Sequence, residues 1–271
     1  GGGVSGRVVV AGGGGLIGRA LAADLCASGC EVVILSRNPR TLRDLPAGAR
    51  AALWDGRTLD LGWAELLQGA EAIVNLAGEN LAAGRWSATR KRLLLDSRVE
   101  PTRAIVAAIG TCHPRPGVLL QASGVGFYGS RGDLVLGEDS PPGSGTLPDL
   151  CRAWEEASAP VRDLGVRRVV LRTGVVLSRA GGALAKMAPP VRWFLGGALG
   201  SGEQWWPWIH QADAVAAMRL LLANQEAQGP FALTAPELVR NQEFSAVLAR
   251  VLRRPNLVRA PAWVLRLAFG E

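Results

Sequence analysis

Residues 123–132 read SGVGFYGSRG, placing a serine, Ser123, five residues ahead of a tyrosine, Tyr128. A serine hydroxyl can orient a substrate carbonyl or hydroxyl through one hydrogen bond, and a phenol can pass a proton while a nicotinamide passes a hydride. Such a tyrosine ordinarily has a lysine one helical turn on, whose ammonium draws the phenol's pKa down from about 10 toward working pH. The position four after Tyr128 is Gly132, and Tyr128 is the only tyrosine in the chain. The stretch offers the parts of a redox site without its usual proton relay.

A second chemical signal lies near the N-terminus. In RVVVAGGGGLIGRALAADLCASG a β-branched run leads through glycines into a helical pattern, with apolar residues at Leu16, Ala20, Leu21 and Leu25. Gly12, Gly15 and Gly18 give G-x-x-G-x-x-G between strand and helix, where missing side chains let backbone amides, those of Leu16 and Ile17 included, approach a pyrophosphate at the positive helix end. The alternative is a tight turn serving packing alone. An NAD-preferring fold ends its second strand with an acid for the ribose hydroxyl, but ILSRNPR places Ser36 and Arg37 there. A guanidinium fork suits a phosphate, so the expected cofactor is NADP(H) unless Arg37 is only a solvated surface arginine.

The elements that must position these groups alternate. EVVILSR, EAIVNLAG, GVLLQASG and RRVVLRTG read as further strands, separated by helical stretches at 60–68, 87–109 and 148–164. Such alternation implies right-handed crossovers and an α/β, Rossmann-like doubly wound parallel sheet covered on both faces. Past residue 175 the pattern loosens into Gly-, Pro- and Trp-rich sequence, then an apolar tail. The expected organisation is a dinucleotide-binding domain over 7–175 and a smaller substrate-side region over 176–271.

Composition narrows the partners. With 48% hydrophobic and 20% charged residues among 271, the chain can bury a full core. No run of eighteen apolar residues and no charged-then-apolar leader appears, which argues against a membrane span and for the cytoplasm. The opening GGGVSG resembles an added tag and is set aside. Cys26, Cys30, Cys112 and Cys151 form no C-x-x-C pair and only His113 and His210 supplement them, so no metal site is expected and the thiols read as reduced, buried residues. The net charge of +7 rests on scattered arginines, since Lys91 and Lys186 are the only lysines; no basic run interleaves with aromatics, so an anionic small molecule is a better partner than nucleic acid. Trp205, Trp206 and Trp208, with Trp193 and Phe194 upstream, offer flat surface for a sugar ring, an aromatic or a lipid-like chain, or else core packing or a homodimer contact; monomer and homodimer both remain open.

Taken together, the glycine turn, NLAGEN (75–80), GRWSATRKRLLLDSRVEPTRAIVAAI (84–109), SGVGFYG, LRTGVVLS, GGALGSGEQWWPWIHQAD (196–213) and LTAPELVRNQEF resemble the epimerase-like branch of the extended short-chain dehydrogenase/reductase family, in the subfamily with a C-terminal domain of unknown function. The resemblance runs from residue 7 to the end at LRLAFGE, where members usually continue for a few dozen residues, implying a truncated C-terminal domain. It implies cofactor contacts at Asn75, Leu76 and Ala77, against an ordinary strand end, and at Arg98, against a helix-surface ion pair with Asp96 or Glu100. Glu79 and Arg85 face substrate or solvent, and Asp55 touches the adenine side or forms a turn. Active members carry Tyr-x-x-x-Lys on the helix after the fifth strand; counted from Trp154–Glu155, those slots fall at Asp149 and Ala153, so the pair is absent. Ser123 and Tyr128 are then the catalytic candidates, with Glu155 and His210 as substitutes whose alternatives are a helix-charge role and a structural hydrogen bond. The expected activity is NADP(H)-linked reduction or epimerisation of a small molecule; the alternative is an NADP(H)-sensing binding protein without turnover.

Overall fold

The computed structural model describes residues 5–256. Seven strands form one parallel sheet in the order β3-β2-β1-β4-β5-β6-β9: β1 (Arg7–Ala11), β2 (Glu31–Ser36), β3 (Ala49–Leu53), β4 (Ala72–Asn75), β5 (Val118–Gly124), β6 (Arg167–Thr173) and β9 (Gly229–Leu233). A two-stranded parallel sheet pairs β7 (Val175–Ser178) with β8 (Trp208–His210). The helices are α1 (Leu16–Ala27), the single turn α2 (Leu61–Ala64), α3 (Ala88–Thr111), α4 (Thr146–Ser158), α5 (Gly182–Arg192), α6 (Gln211–Ala223) and α7 (Asn241–Val251).

Strand periodicity divides the core between the two faces. Val8 and Val10 of β1 point to the layer holding Leu21 and Leu25 of α1 and Met218 and Leu222 of α6. Val9 and Ala11 point to the layer of Trp63, Ile105 and Ile109. Because both faces are covered, the inner strands read as near-continuous Val, Ile and Leu runs.

The doubly wound parallel sheet expected from the sequence is the observed one. The 60–68 stretch is one turn of α2 and a 3-10 turn at Glu65–Leu67, and the 148–164 stretch is α4 followed by a 3-10 turn at Ala159–Leu164. Beyond residue 175 the chain rejoins the main layers: β9 pairs with β6, and α6 packs against α1. A smaller cluster beside them joins α5 and α7 through Val191, Leu248 and Ala249. Among the described residues no helix is long and apolar enough to cross a membrane, and no three His, Cys, Asp or Glu side chains converge as a metal site.

Candidate functional site

The first half of the site is a groove at the C-terminal end of β1. Gly12 has φ +75°, and a Cβ there would stand 2.7 Å from the Leu76 carbonyl; a Cβ on Gly18 would stand 2.5 Å from the Gly13 Cα. These two glycines are required by close backbone approach. Gly15 differs: it caps α1 with no side-chain hydrogen bond, no acid occupies the first turn, and the nearest atom to a Cβ would be the Gly12 carbonyl at 3.4 Å. The Leu16 and Ile17 amides thus head an uncapped helix, the arrangement that accepts a pyrophosphate. A dinucleotide fits these residues.

The 76–79 loop forms the opposite wall. Asn75 is buried, and its side chain is consumed in shaping this wall: Nδ2 donates to Thr102 Oγ1 (2.9 Å) and Gln121 Oε1 (3.0 Å), while Oδ1 accepts from the Ala77 amide (3.2 Å). Leu76 and Ala77 therefore face the glycine turn through their backbone. At the end of β2, Ser36 Oγ accepts from the Asn38 amide (3.2 Å), and Arg37 extends with 75% of its side chain exposed to pair with Glu79 at 3.1 Å. Further along, Lys186 of α5 donates to the Ala82 carbonyl (3.1 Å). Arg85 is exposed on the same loop.

Arg98 is placed differently from both readings of the sequence. Its guanidinium is buried under the loop, donating to the carbonyls of Glu79 (2.8 Å) and Leu94 (3.0 Å) and lying 5.0 Å over the Trp154 ring. The surface partners are taken elsewhere, Asp96 by Arg92 and Glu100 by Arg57. Burial pulls the Arg98 pKa down to about 10. Arg98 thus clamps the loop that carries Glu79. Asp55 forms a turn, accepting from the amides of Arg57 (2.8 Å) and Thr58 (2.9 Å).

The second half of the site is a buried polar chain beyond β5. Ser123 donates to Glu155 Oε1 (2.7 Å), and Arg172 of β6 meets both oxygens of the same carboxylate at 3.0 Å. Arg172 Nη1 also donates to Tyr128 Oη (3.1 Å) and to the Glu138 carbonyl (2.8 Å), with the Phe127 ring 3.6 Å from its Cζ. Burial works against the Arg172 charge, but its hydrogen bonds to Glu155 and Tyr128 more than offset this and leave its pKa raised. Sequence reading missed Arg172; the signal was a charged residue inside VVLRTG, which burial forces to find a carboxylate.

The relay helix also needs correction. Asp149 is exposed and paired with Arg152, and Ala153 faces the outer groove between α3 and α4, so neither points at Ser123. The residues one helical turn apart that do face β5 are Cys151 and Glu155. Cys151 and Glu155, not Asp149 and Ala153, are the residues of this helix turned toward Ser123. Burial first, then the Glu155 charge, pushes the Cys151 thiol up to about 11 from its ordinary 9.0. With the folded pKa above the unfolded one, the native state holds the proton longer, so this stabilisation is complete below pH 9 and is lost as pH rises to 11. Denaturant melts across that window should show the advantage of wild type over Cys151→Ala shrinking by about 2–3 kcal/mol.

His210 is not brought to this chain. It caps α6, its Nδ1 accepting from the Ala212 amide (3.2 Å), in a groove it shares with Ala20, Asp24 and Arg219. Gln211 beside it donates to the Leu16 carbonyl (2.8 Å). Of the tryptophans, Trp206 packs on Phe244 (5.6 Å between centroids), and Trp205 donates to Asp133 Oδ1 (2.9 Å) with Arg240 over its ring.

The glycine turn thus lies at the C-terminal end of β1 and the polar chain at the same end of β5 and β6, with β4 between them, in a sheet whose strands all run parallel. Residues 8–148 match the NAD dependent epimerase/dehydratase family. The chain belongs to that family. An epimerase family protein of Mycobacterium bovis, Mb2239, is 39% identical over 264 residues, covering 97% of this chain and 85% of the relative. The crystal structure of human epimerase family protein SDR39U1 (isoform 2) with NADPH superposes with TM-score 0.84 at 34% identity, covering 98% of this chain and 86% of that one. A nucleoside-diphosphate sugar epimerase from Corynebacterium glutamicum gives TM-score 0.76 at 34% identity, covering 96% of this chain and 54% of the other. The chain thus has the NAD(P)-binding fold of this epimerase family.

Proposed function

We propose that this epimerase-family chain binds NADP(H) between the glycine turn and the 76–79 loop and carries out reduction or epimerisation of a small carbonyl-bearing molecule, a nucleotide sugar being the leading class. The observation that carries the chemistry is the contact between Arg172 Nη1 and Tyr128 Oη at 3.1 Å. There the phenol oxygen accepts from a cation, so its own hydrogen is left to donate. NADP fits Arg37 at the end of β2, and the human relative's bound NADPH supports that choice over NAD.

When bound, the nicotinamide supplies or takes the hydride at the substrate carbon. Tyr128 gives its proton to the carbonyl oxygen in reduction and recovers one from solvent; in the reverse direction the phenolate takes the hydroxyl proton. Ser123, whose hydrogen is committed to Glu155, keeps its lone pairs for a substrate hydroxyl and orients it. Glu155 positions Ser123 and Arg172 together. Glu79 meets Arg37 at the β2 end of the groove, whereas His210 serves α6. Tyr128 is 4% exposed, in a cluster with Phe127 and Cys151.

Turnover decides between this reading and an NADP(H)-sensing protein, which α4 favours by its lack of the lysine. NADPH oxidation should be followed with a panel of carbonyl compounds and 4-keto nucleotide sugars. Tyr128→Phe is expected to lower kcat by about 10²–10³-fold, the scale of one general acid, while NADPH affinity is unchanged. Wild-type rates in that variant would remove the phenol from the mechanism; binding without turnover across the panel would favour the sensor.

A further inference from the structure

The acid missing from the end of β2 is supplied from elsewhere in the fold. Glu79, four residues beyond the last residue of β4, is anchored through its backbone: its amide donates to Ser97 Oγ (3.1 Å) and its carbonyl accepts from Arg98 (2.8 Å). Its side chain is 29% exposed and reaches the Arg37 guanidinium at 3.1 Å. β2 and β4 flank β1 in the sheet, so the pair joins the segments on either side of the glycine turn, against which the Leu76–Ala77 backbone also closes. Arg37 is therefore not a free phosphate fork. Its counter-ion is already present, fixed by the buried Arg98 clamp.

We infer that Glu79 is a specificity-determining residue that holds the preference for a 2′-phosphorylated dinucleotide below what Arg37 alone would give. The inference rests on the dinucleotide reading above. An arriving 2′-phosphate must share Arg37 with a carboxylate, and the two anions repel across one guanidinium. A ribose 2′-hydroxyl faces no such conflict, because an ionised carboxylate accepts its hydrogen, the task given in NAD-preferring folds to the acid at the end of the second strand. Arg37 and Glu79 thus act on the same atom of the cofactor with opposite sign.

The test is calorimetric titration of wild type and Glu79→Gln with NADPH and with NADH, in protein shown by melting to be folded. Glu79→Gln should tighten NADPH by about threefold to tenfold, the range of a partly exposed charge contact, and leave NADH unchanged or weaker, so the NADPH preference rises. Glu79→Asp, which keeps the charge but withdraws it by one methylene, should shift the preference the same way by less, and serves if the glutamine variant does not fold. Equal weakening of both nucleotides would make Glu79 a mere support for Arg37, and a fall in NADPH preference would make it a helper of the phosphate site; either overturns the inference while leaving the cofactor reading intact. Wild type that binds neither nucleotide overturns both.

Discussion

Arg172→Met is expected to destabilise the protein by about 3–5 kcal/mol, the cost of leaving a buried charge without its partner. Arg172 and Glu155 are 6% and 11% exposed at their side chains, and the guanidinium donates to each oxygen of the carboxylate at 3.0 Å, beside the bond from Ser123. Methionine fills similar volume, so the loss reads the orphaned Glu155 rather than a cavity. The double variant Arg172→Met/Glu155→Leu should recover most of it, because two apolar groups no longer need each other. Arg172→Lys should fall between, since an ammonium reproduces neither the two-oxygen contact nor the simultaneous bonds to Tyr128 and the Glu138 carbonyl. Urea melts with unchanged slope would measure all three. A cost under about 1 kcal/mol for Arg172→Met would mean that the carboxylate is solvated in solution.

How legible these features were depended on whether the information was local. The passage from β1 through the glycines to α1 is written in adjacent residues, and sheet, turn and helix lie where the sequence placed them. Other strands carry weak signals: β3 is ARAAL, rich in alanine, and β9 is GPFAL, whose Pro230 argues against a strand but is tolerated because β9 lies at the sheet edge. The site face of α4 was misread for a geometric reason. A two-residue offset turns a helix by about 200°, so Asp149 and Ala153 look away while Cys151 and Glu155 look in. The stripe of Leu150, Cys151, Trp154 and Glu155 buries too wide a face to fix that rotation from sequence. The Arg172–Glu155 pair, the Arg98 clamp and the Arg37–Glu79 bridge each join residues on different elements. No local pattern encodes them.

Arg37→Ala carries the other large expected effect. At the end of β2 Arg37 presents the 2′-phosphate an exposed guanidinium that it shares with Glu79, and Ser36, whose hydroxyl accepts from the Asn38 amide, supplies no charge. Charge-assisted hydrogen bonds to such a group are worth about 1.5–3 kcal/mol, so NADPH affinity should fall about 10- to 100-fold. NADH lacks that phosphate and should lose little. The variant would also release Glu79, leaving its carboxylate free for a ribose hydroxyl, which moves the preference further in the same direction. Stability should hardly change, because an exposed ion pair contributes about 0–1 kcal/mol. The measurement is calorimetric titration of wild type and Arg37→Ala with NADPH and with NADH. The structure predicts that wild type prefers NADPH and that the variant loses this preference while remaining folded. Equal binding of the two nucleotides by wild type, or an unchanged NADPH preference in Arg37→Ala, would contradict the phosphate site at the end of β2.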